Sequence, residues 1–112
     1  MENKKICIMG LGYVGFPLAI EFSKYYNTIG FDISDKRISQ LKDNLDITEE
    51  VDSNTIKNSK VFLTNDKQDI LDSNIYIITV PTPIDATKNP DLSALKSASK
   101  LVGSVISEGN LV

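Results

Sequence analysis

Four residues carry the first chemical signal in this chain. Gly10, Gly12 and Gly15 stand in the spacing Gly-x-Gly-x-x-Gly, and Asp32 follows 22 positions after Gly10, from 10 to 32. At a strand-to-helix turn such glycines make a phosphate cradle. Gly10 permits the tight turn, Gly12 removes a side chain where a pyrophosphate approaches the backbone, and Gly15 lets the helix close on the strand. The phosphates then lie on the free N–H groups and the positive dipole end of that helix. An aspartate at this interval accepts hydrogen bonds from the 2′- and 3′-hydroxyls of an adenine ribose and repels a 2′-phosphate. That favours NAD over NADP. Asp32 can also cap the turn that follows it, and both roles can hold together. Arg37 lies in the first turn of the next helical pattern, within reach of the adenosine end. A solvated surface arginine is the alternative.

These residues need an α/β frame to hold them. Ile6 to Met9 reads as a fully buried strand running straight into the glycines. A helix is expected from Tyr13 to Tyr25, with Val14, Leu18, Ala19 and Phe22 on one face and Pro17 tolerated in its first turn. Asn27 is a plausible left-handed stop before a second strand, Thr28 to Asp32. Ser34 is a good N-cap for a helix over Asp35–Lys42, whose apolar stripe is Ile38, Leu41 and Leu45. Asp46 to Lys60 is polar and reads as a surface excursion anchored by Ile47, Val51 and Ile56, with at most a short helix near Ser53 to Asn58.

A third strand follows at Val61–Thr64, then a short helix over Asp66–Asp72 with Ile70 and Leu71 facing in. The fourth strand, Ile75–Val80, is apolar enough for burial on both faces of a parallel sheet. Three prolines stiffen the loop from Pro81 to Pro90. It leaves strand 4 beside strand 1, where such sheets bind ligands, so Thr82 is a candidate contact to the nicotinamide ribose or pyrophosphate. The alternative is a rigid turn. Asp91 caps a helix from Leu92 to Ser107 with Leu95, Ala98, Val102, Val105 and Ile106 on its apolar face, and Leu111–Val112 looks like the opening of a fifth strand. The fold class is therefore α/β, a Rossmann-type doubly wound parallel sheet of order 3-2-1-4. Residues 1–112 form one domain, expected to be the N-terminal piece of a longer polypeptide.

Composition narrows the partners. The net charge of −3 comes with no basic cluster, which argues against nucleic acid or an anionic membrane. No apolar run approaches the ~20 residues of a transmembrane helix. A single cysteine excludes an internal disulfide and suits the cytoplasm. With no histidine, His-based metal sites and Ser-His or Cys-His catalysis are absent from the chain.

Several stretches together resemble the UDP-glucose/GDP-mannose dehydrogenase family. They are Gly10-Leu-Gly-Tyr-Val-Gly15 with Pro17-Leu18-Ala19, Gly30-Phe-Asp32-Ile33 with Lys36-Arg37, and Val80-Pro-Thr-Pro83. The continuation Ile84-Asp85 with Lys88-Asn-Pro-Asp91-Leu92 is similar to one branch, bacterial UDP-N-acetylhexosamine 6-dehydrogenases that make O-antigen, capsular or Vi-type precursors. The resemblance implies NAD contacts from Gly10, Gly12 and Gly15 and from the backbone at Tyr13 and Val14. It places Asp32 and Arg37 on the adenosine side and Thr82 near the nicotinamide.

The family oxidises the C6 alcohol of a nucleotide sugar to a uronic acid in two hydride transfers to two NAD+. A cysteine thiolate traps the aldehyde, and water hydrolyses the resulting thioester. In the family that cysteine lies in a second, UDP-sugar-binding domain beyond a central helix, and the whole enzyme is expected to be a homodimer. Cys7 cannot replace it, because a thiol buried mid-strand behaves as a small hydrophobe with a raised pKa. The chain is thus expected to bind NAD and to be catalytically incomplete alone. Two other readings compete: a regulatory module that senses dinucleotide without chemistry, and a β-hydroxyacid dehydrogenase, which typically uses a catalytic lysine and lacks the Val-Pro-Thr-Pro loop.

Overall fold

β1 (Lys5–Met9) presents four consecutive apolar side chains, Ile6 to Met9, and all four are buried. A strand tolerates such a run only when both its edges are paired and both its faces are covered. The computed structural model, which describes residues 4–80, 91–106 and 109–112, supplies both conditions. The elements follow in the order α1 (Gly15–Ser23), β2 (Asn27–Phe31), α2 (Asp35–Lys42), α3 (Ser53–Asn58), β3 (Phe62–Thr64), a 3₁₀ turn (Lys67–Ile70), β4 (Ile75–Ile78) and α4 (Ser93–Val105). The sheet order is β3-β2-β1-β4 and every pairing is parallel, as the sequence pattern predicts. In register, Ile6 lies opposite Thr28 and Ile75, and Met9 lies opposite Phe31 and Ile78.

Alternation along the strands splits the core between the two faces. Ile6 and Ile8 pack with Phe16 and Ile20 of α1 and with Ile38 and Leu41 of α2. Cys7 and Met9 join Ile29, Phe31 and Tyr76 against Val102 and Val105 of α4. Complete burial of Ile6, Ile8 and Phe16 stabilises the fold by roughly 2 kcal/mol each, so the strand leading into the glycines is firmly anchored. On the far side of β4, Leu111 forms a parallel bridge to Ile75. Its N–H donates to Asn74 O at 2.9 Å, and its carbonyl accepts from Tyr76 N at 2.8 Å, where a fifth strand was expected to open.

Five local expectations are corrected. Asn27 is a strand residue, because α1 closes with short-range bonds from Lys24 N to Glu21 O and from Tyr25 N to Phe22 O instead of a left-handed residue. Val14 is exposed, and the buried face of α1 runs through Gly15, Phe16, Ala19, Ile20 and Ser23 with Leu18 and Phe22 on its flank. Gly15 must face the Gly10 carbonyl, and that requirement sets the helix rotation. Leu45 leaves the α2 stripe because Asn44 turns the chain at φ 64°, and Leu71 points outward because the 3₁₀ turn buries only Ile70. Ile47 is no anchor either: it is 60% exposed.

Candidate dinucleotide site

The site begins with backbone geometry at the carboxyl end of β1. Gly10 adopts φ +105°, a conformation that L side chains rarely take, and a Cβ there would meet the Thr79 backbone at 3.0 Å. Its N–H donates to Phe31 O at 2.8 Å, which ties the turn to the end of β2. A Cβ on Gly15 would drive into the Gly10 carbonyl oxygen. Gly12 is different, because a Cβ there would meet nothing within 4 Å. The space above the turn is therefore open. Among the described residues, no acceptor meets the N–H groups of Gly12, Tyr13 or Val14, and α1 starts with neither a side-chain cap nor an acidic residue. The positive end of its dipole is left for an anion.

Thr79, read from the sequence only as a strand residue, also belongs to this turn. Its hydroxyl donates to Gly10 O at 2.8 Å, holding the end of β4 against the glycines.

Asp32 leaves β2 at the same edge. One carboxylate oxygen accepts from Leu11 N and the other from Ser34 N, both at 2.9 Å. Each oxygen keeps one lone-pair direction free, enough for a vicinal diol. Ser34 caps α2 as expected, its Oγ accepting from Arg37 N at 3.1 Å. The turn-capping role thus leaves acceptor capacity on the same side chain.

Arg37 is not a solvated arginine. Its side chain is only 11% exposed, and its guanidinium carbon lies 5.6 Å from the centre of the Phe16 ring. Nε donates to Leu11 O at 2.6 Å and Nη1 to Asp46 Oδ1 at 2.9 Å, while Nη2 is buried without a partner among the described residues.

Asp46 was missed altogether. Its side chain is fully buried, and it accepts from Arg37 Nη1, Thr48 N, Thr48 Oγ1, Glu50 N and Val51 N at 2.6–3.1 Å. Burial pushes its carboxyl pKa up. The hydrogen bonds from Thr48, Arg37 and Val51 outweigh that and hold it below the ordinary aspartate value. An aspartate two residues before a threonine was the only local hint of this turn.

A cavity of about 640 Å³ opens over these groups. Gly10, Leu11, Gly12, Asp32 and Arg37 form its polar floor, and Ile33, Ile47 and Thr48 form one wall. Val80 and the α4 residues Ser93, Ser97 and Leu101 form the other. The size suits a nucleotide-scale ligand. Free N–H groups for an anion, a fixed carboxylate for a diol and apolar walls for flat rings fit a dinucleotide. Tyr13 and Val14 stand exposed at the head of α1 and Gly15 is buried beneath the turn. Thr82 and the Pro81–Pro90 loop lie outside the described residues. Cys7 lies one strand layer below, fully buried, with its thiol pKa pushed up to about 12 by that burial. It has neither access nor thiolate character for nucleophilic work. Among the described residues, no helix is long and apolar enough to cross a membrane.

The model of the UDP-glucose/GDP-mannose dehydrogenase family, NAD binding domain, matches residues 4–112. The UDP-N-acetyl-D-glucosamine 6-dehydrogenase of Pseudomonas aeruginosa is 45% identical over all of the chain and 27% of its own length. The protein CapL of Staphylococcus aureus is 44% identical over 98% of the chain and 26% of its own length. Among solved structures, the UDP-D-ManNAc dehydrogenase of Pyrococcus horikoshii superposes with a TM-score of 0.86 at 33% identity, over 96% of this chain and 27% of that one. The chain thus spans about a quarter of the length of these relatives.

Proposed function

The chain belongs to the UDP-glucose/GDP-mannose dehydrogenase family, and from that premise we propose that it is the NAD-binding part of a UDP-sugar 6-dehydrogenase acting on a UDP-N-acetylhexosamine. The observation that carries the reading is the pairing of Asp32, fixed at the cavity floor, with an open and uncapped helix start above Gly12. In this proposal the N–H groups of Gly12, Tyr13 and Val14 hold the pyrophosphate, and Gly10 and Gly15 shape the turn. Asp32 accepts from the adenine ribose hydroxyls, Arg37 supports the adenosine side, and Thr82 serves the nicotinamide side. When bound, NAD+ supplies the hydride acceptor for the sugar C6 alcohol.

The UDP-sugar-binding residues and the nucleophilic cysteine are assigned to sequence outside these 112 residues, in a central helix and a second domain. The inaccessibility of Cys7 and the far greater length of the relatives support that assignment. The whole enzyme is proposed to be a cytoplasmic homodimer that makes precursors of capsular or O-antigen polysaccharide; likeness to CapL supports the capsular part of that reading.

The test is an NAD+ reduction assay with the complete open reading frame and a panel of UDP-glucose, UDP-N-acetylglucosamine, UDP-N-acetylgalactosamine and UDP-N-acetylmannosamine. Two NADH per sugar with an N-acetylhexosamine is expected. Turnover of UDP-glucose alone would replace the substrate assignment, and no turnover of any sugar would remove the activity.

A further inference from the structure

The groups that recognise the dinucleotide do not hold themselves in place. Leu11, inside the glycine turn, is gripped at its N–H by Asp32 and at its carbonyl by Arg37. Arg37 is in turn held by Asp46, a buried carboxylate outside the motif that also collects Thr48 N–H and hydroxyl and the N–H groups of Glu50 and Val51. Glu49, within that loop, takes φ 58°, an unfavourable conformation for a non-glycine residue that the converging hydrogen bonds over-determine. The outcome of this knot is a wall. Ile47 and Thr48 line the cavity across from the glycine turn, with Ile47 60% exposed and facing the space a ligand would fill.

We propose that Asp46 is a positioning residue for the adenosine half of the cofactor. One unbroken path of hydrogen bonds runs from Asp46 through Arg37 and Leu11 to Asp32, and a second runs from Asp46 into the loop that carries the cavity wall. A neutral side chain at 46 would release the guanidinium, which then no longer sets the Leu11 peptide, and both the ribose carboxylate and the wall would lose their fixed geometry. The buried, paired arrangement makes the effect strong, because removing one partner strands the other charge in a dry place.

This inference rests on the dinucleotide reading, and its test separates the two. NAD and ADP-ribose are titrated calorimetrically into the wild-type protein, Asp46→Asn, Arg37→Lys and the double variant, with circular dichroism verifying the fold. Lysine keeps the charge but replaces the rigid fork, which reaches Leu11 through Nε and Asp46 through Nη1, with a single nitrogen. Each single variant is expected to weaken both ligands by about tenfold. The double variant should lose no more than the worse single, since both cut one path. In the ligand-free protein, the Leu11 amide resonance should shift in Asp46→Asn, which a mere loss of global stability would not cause.

Unchanged affinity in Asp46→Asn, multiplicative losses in the double variant, or an unmoved Leu11 resonance overturns the proposal. If Asp46→Asn does not fold, Asp46→Glu, which keeps the charge and displaces it by one methylene, is judged by the same affinity and Leu11 readouts. A wild-type protein that binds neither ligand overturns the dinucleotide reading and this inference with it.

Discussion

Asp32 and Arg37 grip the same residue from opposite sides. Asp32 Oδ2 accepts the Leu11 N–H at 2.9 Å, and Arg37 Nε donates to the Leu11 carbonyl at 2.6 Å. The two successive peptide groups on either side of the Leu11 Cα are therefore each set by a charged side chain, one from the end of β2 and one from the first turn of α2. The turn's conformation and the Asp32 carboxylate are one unit, so damage to either is felt by the other.

Asp32→Asn tests that unit at the ligand end. The amide keeps one acceptor oxygen but replaces the other with an NH2 donor, which faces either Leu11 N–H or Ser34 N–H across a contact of 2.9 Å. NAD affinity should fall by about tenfold or more, and the preference for NAD over NADP should shrink because no carboxylate meets the 2′-phosphate. Calorimetry with both cofactors measures this. An unchanged NAD affinity would reduce Asp32 to a cap for the turn before α2.

Gly12 and Gly15 should fail in different ways when each becomes alanine. The Cβ at 15 runs into the Gly10 carbonyl oxygen and crowds the Thr79 hydroxyl, so Gly15→Ala should cost about 2 kcal/mol or more of stability. The Cβ at 12 meets nothing within 4 Å, so Gly12→Ala should fold like the wild type while losing NAD affinity, since the methyl takes space that the proposed function gives to the pyrophosphate. Urea denaturation paired with cofactor titration separates the two. A large loss of stability in Gly12→Ala would contradict the open space seen above the turn.

That contrast also marks what was legible in the sequence. The tight turn at Gly10 and the serine cap at position 34 are local rules, each set by the backbone or a neighbour within a few residues, and the structure has Gly10 at φ +105° and Ser34 accepting from Arg37 N. Parallel order followed from alternating apolar strands and helical stripes. Asp46 was not legible, because its burial depends on an arginine nine residues upstream folding back over Phe16, and a polar run reads as solvated when its partners are distant. Thr79 was hidden for the same reason, its acceptor lying 69 residues away. Helix rotation was misread at Val14 because a tertiary contact at Gly15, not hydrophobic period, decides it.

Cys7 should behave as a hydrophobe that alkali makes costly. Burial raises its thiol from 9.0 to about 12. A thiol whose folded pKa is raised stabilises the fold fully below 9.0, and that contribution is lost as the pH climbs from there towards 12, because the unfolded chain ionises first. Cys7→Ala should lose stability at neutral pH through the cavity it leaves, yet show a flatter decline at alkaline pH. Native protein should also resist thiol reagents until unfolded. Rapid labelling of the folded protein would contradict the burial.

Asp46 has the opposite linkage. Its carboxyl is held below 3.8 in the folded protein, where burial is outweighed by the hydrogen bonds of Thr48, Arg37 and Val51. A depressed carboxyl contributes stability that is fully present above 3.8 and disappears as the pH falls through the lower folded value, because the unfolded chain takes up the proton first. Wild type and Asp46→Asn compared by urea denaturation from neutral to strongly acid pH should therefore differ most at neutral pH and converge in acid. The other carboxylates titrate in both proteins and cancel in the difference. A gap that stays constant across the whole range would mean that the charge on Asp46 contributes nothing, leaving only the shape of its side chain to hold the loop.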